Sequence, residues 1–186
     1  ITTYLRLTRA GYDLGPDLIV WPETSVPFFF QDNGRLAAKV LSVATESRST
    51  FVFGSPAYIQ TGGVTRYYNR AYLVPSDGRT IQYYDKVHLV PFGEYIPLKK
   101  LLFFVDRLVP AAGDFEAGEK TCPLVDKDFS VGILICFEAV FPELARTHTK
   151  KGASVLINIT NDAWFGSTSA PYQHLSMAVF RAVENR

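Results

Sequence analysis

The chain is poor in the residues that build disulfide frameworks and metal sites. Its 186 residues include two cysteines and three histidines. A disulfide-stapled domain would have more cysteines, although Cys122 and Cys136 could pair with each other. There is no Cys-x-x-Cys sequence, and His88, His148 and His174 are too scattered to suggest zinc ligands. We therefore predict no metal and no cofactor.

The chain also lacks a strong charge of either sign and any long hydrophobic run. Its formal net charge is +1 and 20% of its residues are charged, so we expect no nucleic-acid partner. No run approaches the roughly 18 apolar residues that cross a bilayer. With 47% hydrophobic residues, the chain can bury the core of one domain over residues 1–186. Both ends lie in helical patterns and there is no initiator methionine, so we expect that domain to be truncated at both ends.

Short apolar runs alternate with helical patterns along the chain, which predicts a mixed α/β domain. The strands are expected at 18–23, 51–59, 66–75, 80–92, 131–135 and 154–160, and the helices at 1–10, 35–46, 142–151 and 174–186. An Asp77-Gly78 pair marks a hairpin between two of the strands. The residues predicted to lie on the buried side of the last helix are Leu175, Ala178, Val179, Ala182 and Val183.

Two segments are unusually apolar for loops. Residues 25–30 (SVPFFF) include three consecutive phenylalanines, and residues 93–118 hold two proline-punctuated apolar blocks with basic residues among them. The second segment has some amphipathic helical character. It is either an ordinary core helix followed by a loop, or an exposed element that touches lipid with its cations near the headgroups.

Cys136 stands at the end of the most clearly buried strand. The run 131–135 is short, apolar and rich in β-branched residues, which is typical of a strand buried on both faces, and Pro142 then opens a helix. Open α/β sheets place nucleophiles at the carboxyl ends of strands, where backbone N–H groups converge. Cys136 is therefore either a nucleophile or a small buried hydrophobe, as most free cysteines are.

Two other predicted strands end near charged residues, Glu23 and Lys86. Burying an unpaired charge is costly, so such groups pair with each other or take part in chemistry. A free thiol has a pKa of about 8.5 and needs a base, which Glu23 would supply. Lys86 and the Phe137 backbone N–H would stabilise an oxyanion. The alternative is that Glu23 and Lys86 form a structural ion pair on a surface loop.

Four ordered motifs carry a resemblance to a known family. They are WPETSVPFF around Glu23, DKVHLVPFGEYIPL around Lys86, ICFEAVFPELAR around Cys136 and NITNDAWFG around Trp164. The order Glu, Lys, Cys resembles the nitrilase, or carbon–nitrogen hydrolase, superfamily, and the flanking residues are similar to those of the apolipoprotein N-acyltransferases within it. The resemblance implies an α-β-β-α sandwich with mixed sheets and a catalytic triad of Glu23, Lys86 and Cys136.

The resemblance also implies supporting residues. Glu94 matches a helper glutamate that holds the lysine or moves protons, and Glu138 matches another acidic position. Each could instead be a carboxylate of a surface salt bridge. Phe137 stands where many members have tyrosine, so only its backbone N–H and a packed ring are expected there. Trp164 resembles a pocket or lid aromatic of the family, or it is a plain core residue.

The family's chemistry implies a function. Its members transfer a fatty acyl chain from a phospholipid, through a thioester on the cysteine, to the amino-terminal amine of a diacylglyceryl-modified lipoprotein. The implied partners are a phospholipid acyl donor, the prolipoprotein acceptor and a membrane surface, and the implied location is the periplasmic side of the bacterial inner membrane. Because water must be kept from the thioester, Phe103, Phe104 and the SVPFFF segment are candidates for shielding it and for contact with the acyl chain.

Two other functions stay open. A soluble amidase of the same superfamily would hydrolyse a small carboxamide with the same triad, although such enzymes usually lack VPFGEY after the lysine and NDAWFG after the cysteine. A catalytically silent sandwich acting as an interaction module is the second alternative. The intact Glu-Lys-Cys set argues against it.

Overall fold

The computed structural model describes residues 1–32, 34–95, 114–126 and 129–186. The helices in these ranges are α1 (Thr2–Ala10), α2 (Arg35–Ser47), α3 (Pro142–Lys150) and α4 (Ala170–Asn185). The strands are β1 (Leu18–Val20), β2 (Thr50–Thr61), β3 (Val64–Val74), β4 (Gln82–Asp85), β5 (Leu124–Asp126), β6 (Phe129–Ile135) and β7 (Val155–Ile159). Among the described residues, no helix has the length and apolar character needed to span a membrane.

The first sheet has the strand order β1–β2–β3–β4. Strand β1 runs parallel to β2, whereas β3 is antiparallel to both β2 and β4. Gly62 and Gly63 connect β2 to β3 with φ values of 60° and 79°, which glycine adopts without strain. Gly78, with φ of 69°, turns the chain between β3 and β4, so the hairpin predicted at the Asp77-Gly78 pair is confirmed.

The second sheet has the order β5–β6–β7. Strand β6 is antiparallel to β5 and parallel to β7, and α3 forms the crossover that a parallel connection requires. In the parallel pair, Ile135 lies opposite Ile159. Cys136 and Thr160 therefore leave the sheet at the same edge.

The two sheets pack face to face around an apolar core. Leu73 of the first sheet and Ile133 of the second are fully buried in it. Helices α1 and α2 cover the outer face of the first sheet with side chains such as Val40, and α3 covers the second sheet by packing Leu144 on Leu134. Each such aliphatic side chain contributes about 1.5–3 kcal/mol by leaving water. The predicted α-β-β-α sandwich with mixed sheets is confirmed.

Helix α4 turns a different face to the protein from the one its hydrophobic pattern predicts. Leu175, Val179 and Val183 are 64%, 54% and 54% exposed, so the predicted buried face is wrong. The inward side carries His174 and Arg181, which bind three backbone carbonyls of the segment after β6. Buried carbonyls need hydrogen-bond donors, and the bonds from the Arg181 guanidinium are charge-assisted, so these polar contacts set the rotation of the helix.

His148 is expected to make the fold less stable in acid. Its ring is fully buried against Tyr84 and Gly132, and burial lowers its pKa from 6.5 to about 4. Between about pH 6.5 and 4 the unfolded chain binds a proton that the folded protein excludes. The free energy of unfolding should therefore decrease as the pH is lowered through that window. This residue alone contributes up to about 3 kcal/mol of the loss.

Urea denaturation at pH 7.5 and pH 4.5 measures the effect of His148. The His148→Leu variant should lose less stability than the wild type between the two pH values. His88→Gln, which replaces a half-buried histidine, is the matched control and should behave like the wild type. Equal losses in the wild type and His148→Leu would contradict the prediction.

Candidate active site

Three strand ends bring Glu23, Lys86 and Cys136 together at one edge of the sandwich. Glu23 lies in the loop after β1, Lys86 directly follows β4, and Cys136 directly follows β6. The Lys86 Nζ lies 3.7 Å from Glu23 Oε1 and 2.9 Å from the Glu94 carboxylate, and both Glu23 and Lys86 act electrostatically on the Cys136 thiol. Glu23 and Lys86 are 8% and 1% exposed, so their ion pair is buried and the surface-loop alternative is wrong.

The charges at this edge determine the protonation states. Burial opposes the charge on Lys86, but the Glu94 and Glu23 carboxylates outweigh it and raise the Lys86 pKa. Burial, together with the Glu23 carboxylate, raises the Cys136 pKa against the opposing charge of Lys86. At neutral pH Lys86 is therefore an ammonium and Cys136 a neutral thiol. The thiol needs a proton acceptor before it can act as a nucleophile.

Asn69, in the middle of β3, holds both carboxylates and is missing from the residues predicted from sequence. Its Nδ2 donates to Glu23 Oε1 and to Glu94 Oε1, each at 2.8 Å. The backbone N–H groups of Asn161 and Val90 donate to the same two carboxylates, at 3.1 and 2.9 Å. Asparagine is depleted in strand interiors, so one within a strand pattern is the signal that points to this site.

The backbone at Cys136 makes a sharp turn. Its φ is 51°, in the left-handed region that a residue with a Cβ rarely occupies. Segment Cys136–Val140 forms a 3₁₀ turn before α3 begins, and the Phe137 backbone N–H acts on the Cys136 thiol by opposing the rise in its pKa. The Cys136 carbonyl accepts from Asn158 Nδ2 at 3.1 Å and faces His174 Nε2 at 2.8 Å. A strained strand-to-helix turn of this kind presents a nucleophile at the sheet edge.

The Glu138 side chain is fully buried beneath the site, where it accepts hydrogen bonds from two segments of the chain. Its four donors, at 2.7–3.0 Å, are the backbone N–H groups of Val87, His88 and Ile135 and the hydroxyl of Tyr84. Glu138 thereby joins the segment that carries Lys86 to the segment that carries Cys136. The alternative of a surface salt bridge is wrong for Glu138, and for Glu94 as well, because Glu94 pairs with the buried Lys86.

The remaining predicted site residues are placed only in part. The ring of Phe137 packs edge-on against Phe141, with centroids 5.3 Å apart. The backbone of Trp164 lies in the 3₁₀ turn Asp162–Phe165 that follows β7 at the same sheet edge. Phe103 and Phe104 lie outside the described residues, as does most of segment 93–118, so its two interpretations stay predictions.

The SVPFFF segment is mainly part of the core. Phe30 is 3% exposed and packs edge-on against Phe53 and Tyr72. Phe29 packs against the β2–β3 hairpin through Tyr58 and Tyr67. The expectation that this segment shields the reaction is therefore wrong for Phe30, whose ring stabilises the first sheet.

Within the ranges that the structure describes, no group of three or more histidine, cysteine, aspartate or glutamate side chains could hold a metal ion. Cys122 and Cys136 are both free thiols, so the possible disulfide between them is wrong. The chemistry of the site depends on the thiol, the ammonium and the carboxylates already described.

A protein-family comparison agrees with this geometry. The model described as carbon-nitrogen hydrolase matches residues 4–186, which is nearly the whole chain. The chain belongs to the carbon–nitrogen hydrolase family. A solved carbon-nitrogen hydrolase from Helicobacter pylori superposes with a TM-score of 0.69 at 18% identity, covering 99% of this chain and 64% of that one. At that identity the likeness supports the fold alone.

Two curated relatives of this carbon–nitrogen hydrolase are more similar in sequence. A protein named apolipoprotein N-acyltransferase from Geobacter metallireducens is 50% identical over 187 aligned residues, which cover 100% of this chain and 36% of the relative. One of the same name from Agrobacterium fabrum is 42% identical, with 91% of this chain and 32% of the relative covered. The chain thus spans about a third of the length of these relatives.

Proposed function

We propose that this chain is the catalytic domain of an N-acyltransferase that acts on lipoproteins. The observation that carries the proposal is the 50% identity, along the whole chain, to a protein named apolipoprotein N-acyltransferase. The proposed donor is a phospholipid and the proposed acceptor is the amino-terminal amine of a diacylglyceryl-cysteine lipoprotein. The proposed location is the extracytoplasmic face of the bacterial inner membrane.

The first step acylates Cys136. Glu23 takes the thiol proton as the sulfur attacks the ester carbonyl, and the new oxyanion is stabilised by the Lys86 ammonium and the Phe137 N–H. When the oxyanion collapses, the carbon–oxygen bond to the lysophospholipid breaks and its oxygen receives the proton from Glu23. A thioester remains on Cys136. The raised pKa of Lys86, which Glu94 and Glu23 maintain against burial, supports this role because it keeps the ammonium charged.

The second step transfers the acyl chain to the amine. The amine attacks the thioester carbonyl, Glu23 accepts the amine proton, and Lys86 again stabilises the oxyanion. The carbon–sulfur bond then breaks, and Cys136 regains its proton as the amide leaves. The contacts of Lys86 support this division of roles, because its ammonium lies 2.9 Å from Glu94 and 3.7 Å from Glu23, so Glu94 is the nearer partner of the cation.

Mass spectrometry of the intact protein mixed with phosphatidylethanolamine in detergent tests the proposal. We expect a fatty-acyl mass gain that hydroxylamine removes, because hydroxylamine cleaves thioesters. The gain should be absent in Cys136→Ala and present in Cys122→Ala, the matched control at the other free thiol. A diacylglyceryl-cysteine peptide should then discharge the thioester as its amide.

Other outcomes of this experiment identify the alternatives. Absence of the adduct, together with Cys136-dependent release of ammonia from small carboxamides, would replace the proposal by the amidase. Absence of both activities would favour the silent interaction module. The names of the curated relatives support acyl transfer over both.

Gly54→Ala is expected to lower acyl transfer by about a hundredfold, because small displacements of a catalytic group have effects of that size. A Cβ at Gly54 would lie 2.6 Å from the Thr24 backbone nitrogen and 2.8 Å from Glu23 Cα, so the loop that carries the base would have to move. The rate of adduct formation measures this. Gly34→Ala is the control, since its Cβ would meet open space, and equal rates in the two variants would contradict the prediction.

A further inference from the structure

His174 projects from α4 onto the turn at Cys136, and both of its ring nitrogens are engaged. Nε2 lies 2.8 Å from the Cys136 carbonyl oxygen, and Nδ1 lies 3.0 Å from Asp162 Oδ1. The His174 side chain is 10% exposed. Contacts at both ring nitrogens therefore hold the ring in place, next to the backbone carbonyl of Cys136.

Both partners of the His174 ring are acceptors. A backbone carbonyl has no proton to donate, and Asp162 Oδ1 already accepts from the Thr160 hydroxyl at 2.8 Å. Each ring nitrogen must therefore carry a hydrogen for both bonds to form, and that describes the imidazolium. A neutral ring would leave one lone pair facing another within about 3 Å.

We propose that His174, held as an imidazolium by Asp162, is a positioning residue that fixes the Cys136–Phe137 peptide and so aims the Phe137 N–H at the reacting thiol. The proposal rests on the proposed role of Cys136 as the nucleophile. His174 makes no contact with substrate in this arrangement, because it acts through the peptide group.

The geometry of the peptide bond makes this coupling direct. The C=O of Cys136 and the N–H of Phe137 belong to one planar trans group, in which the two bonds point in opposite directions. Holding the carbonyl on the α4 side therefore directs the N–H to the opposite side of the peptide, the side from which it acts on the Cys136 thiol. A cation on the carbonyl also polarises the peptide and strengthens the N–H as a donor.

The two side chains on this carbonyl have different capacities. Asn158 donates a neutral amide N–H at 3.1 Å, whereas His174 can also supply charge. Arg181, two turns further along α4, donates to the carbonyls of Ala139 and Val140 and pairs with Glu184. His174 and Arg181 together fasten the turn to α4, and His174 is the one that meets the peptide beside the thiol.

Nitrogen NMR of the intact protein labelled with ¹⁵N-histidine tests the charge state. The His174 signals are assigned by their loss in His174→Gln. At pH 7.5 we expect both ring nitrogens of His174 to have imidazolium shifts, and Asp162→Asn to return the ring to the neutral pattern. A neutral His174 ring in the wild type would overturn the proposal. This readout does not require acyl transfer, so it stands apart from the proposed function.

Kinetics test the positioning role. In His174→Gln, whose amide can still donate to the carbonyl, the rate constant for acyl-enzyme formation should fall about tenfold with little change in KM. In His174→Ala it should fall about a hundredfold. Ser176→Ala, on the exposed side of the same helix, is the control and should match the wild type.

Alkylation of Cys136 by iodoacetamide in a Cys122→Ala background gives the same comparison without a lipid substrate. At equal content of folded protein, the alkylation rate should be highest in the wild type, lower in His174→Gln and lowest in His174→Ala. If His174→Gln and His174→Ala both match the wild type in alkylation and acylation, the proposal is overturned. If no variant is acylated but the alkylation order appears, the proposed function fails and the positioning role stands.

Discussion

Replacing Lys86 by methionine is expected to reduce acyl-enzyme formation by about a thousandfold. The change removes the cation that is proposed to stabilise the oxyanion, and it also leaves the proposed base, Glu23, opposite a second carboxylate. Glu23 and Glu94 each have an oxygen 2.8 Å from the same Asn69 nitrogen, so those oxygens are no farther apart than twice that length. Without Lys86, no cation offsets the repulsion between these two carboxylates, and we expect Glu23 to be displaced from the thiol.

The pKa of the Cys136 thiol should also change in this variant. Burial and Glu23 already raise the Cys136 pKa, and loss of the opposing charge of Lys86 raises it further. The pH midpoint of Cys136 alkylation in a Cys122→Ala background should therefore move up by about one unit or more. Lys151→Met removes an exposed lysine that binds the Thr121 carbonyl and is the matched control. A Lys86→Met variant with wild-type rate and midpoint would refute this account of the site.

Glu138→Ala is expected to destabilise the fold by about 3–5 kcal/mol, because it leaves four buried donors without an acceptor. Glu138→Gln should cost less, about 1–3 kcal/mol. Three of the donors meet one Glu138 oxygen, which the glutamine oxygen can replace. The glutamine amide then faces the remaining donor, the Ile135 N–H, which bonds the other oxygen at 2.7 Å.

Urea denaturation of the three proteins measures this series, with Glu119→Gln as a control at an exposed glutamate. The urea midpoint should be highest in the wild type, lower in Glu138→Gln and lowest in Glu138→Ala. The rate of acyl-enzyme formation should fall by more than the loss of folded protein explains, because Glu138 joins the segments that carry Lys86 and Cys136. Similar midpoints for all variants would mean that the buried carboxylate contributes little to the fold.

Local patterns in the sequence predict a mixed α/β domain, and the resemblance of four motifs to a known family implies the sandwich and the meeting of three strand ends. Three local predictions agree with the structure. They are the strand at 131–135, the turn at Asp77-Gly78 and the charged residues after two other strands. Strands β1 and β4 are not neighbours and β6 belongs to the other sheet, so the meeting of their ends depends on how the two sheets pack together. Glu23, Lys86 and Cys136 could be named together before the structure because each follows a predicted strand and the motifs around them resemble those of one family.

The contacts that hold the site could not be named in the same way. Asn69, His174 and Glu138 act on partners in other parts of the chain, and hydrophobic periodicity contains no information about such pairs. On α4 the periodicity was misleading, because the need of buried carbonyls for His174 and Arg181 outweighs the burial of its aliphatic side chains. Polar satisfaction of the Cys136 turn, rather than hydrophobic pattern, determines how the last helix docks.

The span of the hydrogen bonds around Glu23 has a consequence for the order in which the site matures during synthesis. Glu23 accepts a hydrogen bond from the backbone N–H of Asn161, which lies 138 residues further along the chain. The Cys136 carbonyl contacts His174, which lies 38 residues beyond it. A ribosome releases the thiol before it releases either of these partners. If Cys136 is the nucleophile, as proposed, the nascent protein therefore has a thiol without these partners until β7 and α4 have docked.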